Sequence, residues 1–185
     1  MRWDRLFDDL QAQIEAAEAA ELAGEVTERT RIEVGALHLA DRLRAAVDHR
    51  VLFTCHGGEK VAGTLRRVGP DWLLVAEHAA REALLPLAAV TSVAGLGPLS
   101  VPGDQGFVAA RLDLRYALRG LARDRAGVAV TLGDAGTVVG TVDRVGADFV
   151  EIAEHPGGEL RRARAVRQVR AVPLAAIAVI RTGGS

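Results

Sequence analysis

The sequence predicts a mainly β protein with some helix: a long amphipathic N-terminal helix, then two duplicated five-stranded small barrels, each preceded by a short helix. Three observations predict it. VAGTLRRVGPDWLLVAEH (61–78) returns as VVGTVDRVGADFVEIAEH (138–155), with ten of eighteen positions identical and no gap. Short runs rich in Val, Thr and Leu alternate with glycine-bearing turns, the signature of brief strands. The first 34 residues instead have a helical period.

In that N-terminal arm, Trp3, Phe7, Leu10, Ile14 and Ala17 are spaced four, three, four and three apart. This is the seam of a coiled coil or of a helix lying in a groove. AAEAAELA (16–23) favours helix strongly, Leu22 and Val26 extend the apolar stripe, and Gly24 weakens it. There are too few heptads for an autonomous coiled coil. The helix (1–34) is therefore expected to pack on its own barrel or on the same helix of a second subunit. Trp3, Phe7, Leu10 and Ile14 are the oligomerisation candidates, and a homo-oligomer is expected. IEVGALHL (32–39) then alternates like an extra strand leading into the first barrel.

The repeat is longer than its best block. VLFTCHGGEK (51–60) aligns with VAVTLGDAGT (128–137), PLAAVTSV (86–93) with PLAAIAVI (173–180) and LHLADRLR (37–44) with LDLRYALR (112–119). Four blocks in one order identify an internal duplication. Copy one spans 35–97 and copy two 111–183, with a Gly/Pro linker at 98–110. Each copy opens with a helix, near 40–48 and 115–124, with Leu43 and Leu118 facing inward. Strands follow at 51–56, 60–68, 72–78, 83–87 and 88–93, then at 128–132, 137–145, 149–154, 168–173 and 174–180. In VAGTLRRV, Val61, Gly63, Leu65 and, by continued alternation, Arg67 share a face. In FVEIAE, Phe149 and Glu151 share one face, and Val150 and Ile152 the other. Gly63 and Gly140, both mid-strand, mark places where a strand bends sharply. RVGPDW and RVGADF read as hairpins: Gly69 and Gly146 supply the turn, Asp71 and Asp148 cap it, and Trp72 and Phe149 start the next strand against the core.

A leading helix, a bent strand reading Gly-Thr-Leu or Gly-Thr-Val, a hairpin and an aromatic-led strand together resemble the Sm-like fold, an SH3-like small barrel. The resemblance covers roughly 37–97 and 112–182. It implies assembly in rings and binding of uridine-rich or adenosine-rich RNA. The family pattern has an Asp opening the turn and an Asn in the next strand. Here those places hold Gly69 or Gly146, and Leu73 or Val150, so the usual base pocket is not expected. The chain as a whole also resembles a group of actinobacterial proteins, some labelled Fis-type transcriptional regulators, although the strand-like C-terminus has no helix-turn-helix.

About half the residues are apolar and few are aromatic, so the core must be mostly Val, Leu, Ile and Ala. Lys60 is the only lysine among 23 basic residues, an arginine bias typical of a high-GC genome. Residues 1–35 hold nine acids against four arginines, and 105–185 hold twelve arginines against eight acids. This acidic head and basic tail suit either partner binding or complementarity across a dimer. One cysteine, Cys55, excludes an internal disulfide and fits a reducing cytoplasm. Asp4, Asp8 and Asp9 interrupt any signal-peptide run. The uncharged stretch 84–103 contains Pro86, Pro98 and Pro102, so no membrane span is expected.

RRARAVRQVR (161–170) is the densest basic run, with Arg161, Arg162, Arg164, Arg167 and Arg170 and no acid. These arginines are the nucleic-acid candidates, able to contact RNA or DNA phosphates, although no aromatic is interleaved for base stacking. The alternative function is a protein–protein adaptor or structural oligomerisation protein that uses the acidic helix and barrel edges. His78 and His155 recur at equivalent strand ends and are read as solvent-facing rather than as metal ligands. Cys55 and His56 should point to opposite faces, leaving Cys55 buried. Glu77 with Asp71, or Glu154 with Asp148, read as surface charges rather than as catalytic pairs. There is no phosphate loop, HExxH, cysteine pair or nucleophile elbow, so a non-enzymatic protein without cofactor or metal is expected.

Overall fold

The computed structural model describes residues 11, 34–78, 81–103, 112–155 and 168–183. The chain divides into two units, Met1–His38 and Leu39–Ser185. In the first, Val34 and Gly35 are helical and Ala36 is in a turn, so the strand expected from IEVGALHL does not form at 34–38. Gly35 and the helix-favouring Ala36 weaken a strand there. Trp3, Phe7, Leu10 and Ile14, and with them the expected N-terminal helix (1–34) apart from Gln11 and Val34, lie outside the described residues.

The second unit contains both copies of the repeat. The first copy forms α1 (Leu39–Ala45), β1 (Arg50–Cys55), β2 (Lys60–Val68), β3 (Trp72–Ala76), β4 (Glu82–Pro86) and β5 (Val90–Ala94). The second forms α2 (Leu114–Asp124), β6 (Gly127–Leu132), β7 (Thr137–Val145), β8 (Phe149–Glu154), β9 (Gln168–Pro173) and β10 (Ile177–Thr182). All ten strands belong to one sheet, in the order β5-β1-β2-β3-β4-β10-β6-β7-β8-β9, and every pairing is antiparallel.

This corrects the expectation of two five-stranded barrels behind a long helix. Each copy occupies five consecutive places in the sheet, but neither closes on itself among the described residues. Instead β4 hydrogen-bonds to β10, the last strand of the other copy. Unpaired backbone on β4 must find a partner. A repeated sequence offers two equivalent partners, β5 and β10, and its pattern does not choose between them.

Within each copy the alternation places side chains as the pattern requires. Val61, Gly63 and Leu65 are buried along β2, while Val150 and Ile152 are buried along β8. A bulge between Leu65 and Arg67, repeated between Val142 and Arg144, resets the alternation, so Arg67 points to solvent. Leu43 and Leu118 are fully buried, as their helical periods predict. Asp113 caps α2, its carboxylate accepting from the Tyr116 N–H at 2.9 Å. Residues of the expected linker run beside α1, where the Val101 N–H donates to the Asp41 carbonyl.

Two apolar clusters result, and they share the central strands. The first contains Phe53, Val61, Leu65, Leu73, Val75 and Leu85 together with Ala178 and Val179 of β10. The second contains Leu118, Val130, Val142, Ile152, Ile177 and Ile180 together with Leu84 of β4. Each copy thus completes the other's core. Separating them would expose Val179 and Leu84 at once, so the copies are expected to unfold together.

Both expected hairpins form. The Gly69 N–H donates to the Trp72 carbonyl at 2.8 Å, and the Gly146 N–H to the Phe149 carbonyl at 2.9 Å. What demands glycine here is the ring that follows. A Cβ at Gly69 would stand 2.3 Å from the Trp72 indole, and one at Gly146 2.4 Å from the Phe149 ring. The aromatic residues do not enter their own copy's core: Trp72 packs on the second cluster, and Phe149 is 37% exposed.

Candidate functional site

The joint between the copies is the most elaborated polar region of the second unit. Its ladder sets Leu84 against Ile180, Ala83 against Arg181 and Glu82 against Thr182. Arg181 reaches from β10 into the first copy. It meets the Glu59 carboxylate at 2.7 Å and Glu77 at 3.0 and 3.3 Å, and its guanidinium also donates to the Lys60 carbonyl. Glu77 is almost wholly buried. It is therefore a structural partner of Arg181 and not the solvated surface charge the sequence suggests.

A second set of bonds ties the RVGPDW hairpin to α2. The Trp72 indole N–H donates to the Leu112 carbonyl at 2.7 Å, and the Leu114 N–H donates to the Asp71 carboxylate at 2.8 Å. Asp71 thus supports a helix of the other copy, while its backbone carbonyl accepts from Leu87. Lost hydration raises the Asp71 carboxyl above its ordinary range. The Leu114 amide opposes this rise, and the neighbouring Asp113 charge adds to it. Asp113 behaves differently. Its own desolvation is outweighed by the Tyr116 amide and by Arg115, so its carboxyl lies below the ordinary range.

Of the predicted nucleic-acid residues, Arg161, Arg162, Arg164 and Arg167 lie outside the described residues. Arg170 lies on exposed β9, where its guanidinium is held by Glu154, which Gln168 also contacts at 3.1 Å. Hydrogen bonds from Arg170 and then Gln168 lower the Glu154 carboxyl. Elsewhere, Arg44, Arg66, Arg115, Arg123 and Arg144 each pair with an acid. These arginines therefore do not form an acid-free basic face.

The equivalent histidines part company. His78 is exposed, whereas His155 is 6% exposed with its Nε2 2.7 Å from the Thr141 hydroxyl. The second is a core histidine satisfied by its neighbour. Among the described residues no group of three or more His, Cys, Asp or Glu is placed to hold a metal ion. No helix among them is long and apolar enough to cross a membrane.

Cys55 is buried, as its strand position predicts. Burial pushes its thiol up to about 11; the Glu59 charge adds to the rise and Arg181 opposes it. In the unfolded chain the thiol ionises near its ordinary value of 9.0. The unfolded state therefore loses its proton first, and stability falls as pH rises from about 9 towards 11. Chemical denaturation from pH 8 to 11 should show a steeper loss for the native chain than for Cys55→Ala. Parallel curves would refute this account. At pH 8 the thiol should react with a maleimide only after unfolding.

Sequence reasoning missed the joint residues Arg181, Glu59, Asp71 and Trp72. The one available signal was that Arg181 has no basic counterpart, because Ala94 occupies its place in the first copy. Compared with known proteins, the chain matches no family model, no curated protein and no solved structure.

Proposed function

We propose a non-enzymatic binding protein that works by pairing its free sheet edges with strands of another polypeptide, the adaptor or structural class. One observation supports this reading above others. Among the described residues, β5 and β9 end the sheet with no strand on their outer sides. A terminal strand presents a row of backbone donors and acceptors, a template for strand addition. Natural edges are usually blunted by charge or proline. β9 has Val169 53% exposed, its only charged residue, Arg170, is neutralised by Glu154, and its one proline, Pro173, stands at its last position and leaves Gln168–Val172 without one.

Purification of the full chain without tags under native conditions, followed by mass measurement, tests this. A defined protein bound in stoichiometric amount, and released by Ala171→Pro on β9, is the expected result. Free protein with rapidly exchanging β5 and β9 amides would refute it.

A second reading is nucleic-acid binding through 161–170. It is favoured by the absence of any acid in that run. Retention of RNA and DNA should then fall steeply as salt rises. Unchanged retention after replacing Arg161, Arg162, Arg164, Arg167 and Arg170 by Ala would end this reading.

A further inference from the structure

The two copies use the same hairpin differently, and the difference lies at the start of α2. The RVGPDW hairpin grips that helix end at two points. The Trp72 indole N–H donates to the Leu112 carbonyl at 2.7 Å, and the Leu114 N–H donates back to the Asp71 carboxylate at 2.8 Å. These bonds run in opposite senses and straddle Asp113. That residue is itself the cap of α2, accepting from the Tyr116 N–H at 2.9 Å. Two carboxylates therefore serve one helix end, each holding a different amide. In RVGADF the place of Trp72 is taken by Phe149, which has no side-chain N–H to donate and is 37% exposed. Leu39, the counterpart of Leu114 in the alignment of the copies, is 45% exposed, against 6% for Leu114. Among the described residues the grip is made once, by the hairpin that has the indole.

We propose that this contact is a proton-operated clasp, which tightens when Asp71 takes up a proton and loosens when Asp71 is ionised. The setting of the carboxylate carries this. Asp71 is turned from water onto the amide of a buried leucine, where an ionised group loses hydration. Among the described residues, the charged groups that face it are Asp113 and Arg115 of α2, with Arg119 of the same helix near Asp113. Asp113 is a like charge. Arg115 is already committed to it, its guanidinium meeting the Asp113 carboxylate at 2.6 Å. The rest of the hairpin, Val68–Pro70 and Trp72, is uncharged. So is Leu87–Ala89, whose Leu87 N–H donates to the Asp71 carbonyl at 2.9 Å.

Burial is the largest influence and lifts the Asp71 carboxyl above its ordinary 3.8. The Leu114 amide opposes the rise, Asp113 adds to it, and Arg115 opposes it more weakly. A neutral acid keeps its carbonyl oxygen as an acceptor for Leu114 and no longer repels Asp113. In the open clasp Asp71 is hydrated and ionises near 3.8, whereas in the closed clasp it holds its proton to higher pH. Its contribution to closure is therefore complete below 3.8 and is lost as pH rises from there through the closed clasp's own value. Asp113 works the other way. Despite its own desolvation, the Tyr116 amide and Arg115 hold its carboxyl below 3.8, so its cap is complete above 3.8 and fails only as pH falls further. The clasp is thus tightest close to pH 3.8, with Asp71 protonated and Asp113 still ionised. Loosening it bares Leu114 and draws the Trp72 ring off the second core, where one copy holds the other's helix. The device is independent of the sheet edges.

Amide exchange of the full chain from pH 4 to 8, with each rate divided by the intrinsic chemical rate at that pH, tests the proposal. The Leu114 amide should lose protection as pH rises, while the amides of β8 stay level. The Trp72 indole N–H should follow Leu114 with the same midpoint. Asp71→Asn keeps an acceptor oxygen without a titrating charge, so Leu114 should then be protected strongly and evenly across the range. Asp148→Asn, the same change in the hairpin that grips no helix, should leave the native profile in place. Leu114 protection that is level in the native chain, that rises with pH, that falls equally in Asp71→Asn, or that Asp148→Asn also makes level overturns the proposal. A parallel loss of protection in β8 overturns it too, because unfolding of the whole sheet would then account for the change. Should Asp71→Asn fail to fold, the native chain decides: separate midpoints for Leu114 and Trp72 would mean that no single clasp joins them.

Discussion

Gly140→Ala is expected to destabilise the protein by ~3 kcal/mol, the upper end of the usual cost of overpacking. A Cβ at Gly140 would stand 2.1 Å from the Ala153 carbonyl oxygen and 2.8 Å from its carbon. Those atoms belong to the β8 backbone and cannot rotate away as a side-chain tip would. The β7–β8 ladder would have to open at its Gly140–Glu154 and Thr141–Ala153 pairs. Gly63→Ala meets the same obstacle, with the Ala76 oxygen at 2.2 Å, and should cost a similar amount. Gly120→Ala supplies the contrast. Gly120 lies within α2, and a Cβ there would meet nothing within 4 Å, so the same change should stabilise by ~0.5–1 kcal/mol through backbone entropy. Urea denaturation of the three variants reads both signs. A neutral Gly140→Ala would mean that the strands do not approach this closely.

Gly63 and Gly140 show how much of the fold the sequence disclosed. An isolated glycine inside a β pattern, repeated at the same place in a second copy, reads as a sharp bend of the strand, whereas what both positions have is a close approach of the neighbouring strand's backbone. Strand positions were legible because each depends on local alternation: β2, β7, β8 and β9 span the residues the pattern predicts. Partner choice was not legible. β4 and β9 share a sequence pattern, yet β4 is buried by β10 while β9 is bare on its outer side among the described residues. Nothing local to either strand encodes that difference, because it depends on whether another copy follows. Aromatic residues misled for the same reason. Trp72 reads as the start of a core strand, but its indole reaches across to Leu112 in the other copy. The basic run drew attention by composition alone, while the consequential arginine, Arg181, stands by itself near the C-terminus.

Arg181→Met is expected to cost ~2–4 kcal/mol, equivalent to roughly 4–16 °C in melting temperature for a chain of this size. The guanidinium is 17% exposed, and its main partner Glu77 is 9% exposed, so neither charge is well hydrated. Removing the arginine leaves the Glu77 carboxylate in that place without its charge partner, and the loss of hydration is then uncompensated. Glu59, at 31% exposed, can turn to water and should contribute less. Glu59→Gln is accordingly expected to cost below ~1 kcal/mol, as exposed pairs usually do. The decisive measurement is a double-mutant cycle. Glu77→Gln in the Arg181→Met background removes the stranded charge and should recover a large part of the loss, giving a coupling of ~1–3 kcal/mol. Additive effects would mean that Arg181 acts through its aliphatic stem alone. The cycle also bears on how the two copies are held. β10 completes the first core with Ala178 and Val179, so a weakened Arg181 should lower the stability of both copies in one transition. Two separated transitions would instead show that each copy folds without the other, and that the joint is a docking contact between finished parts.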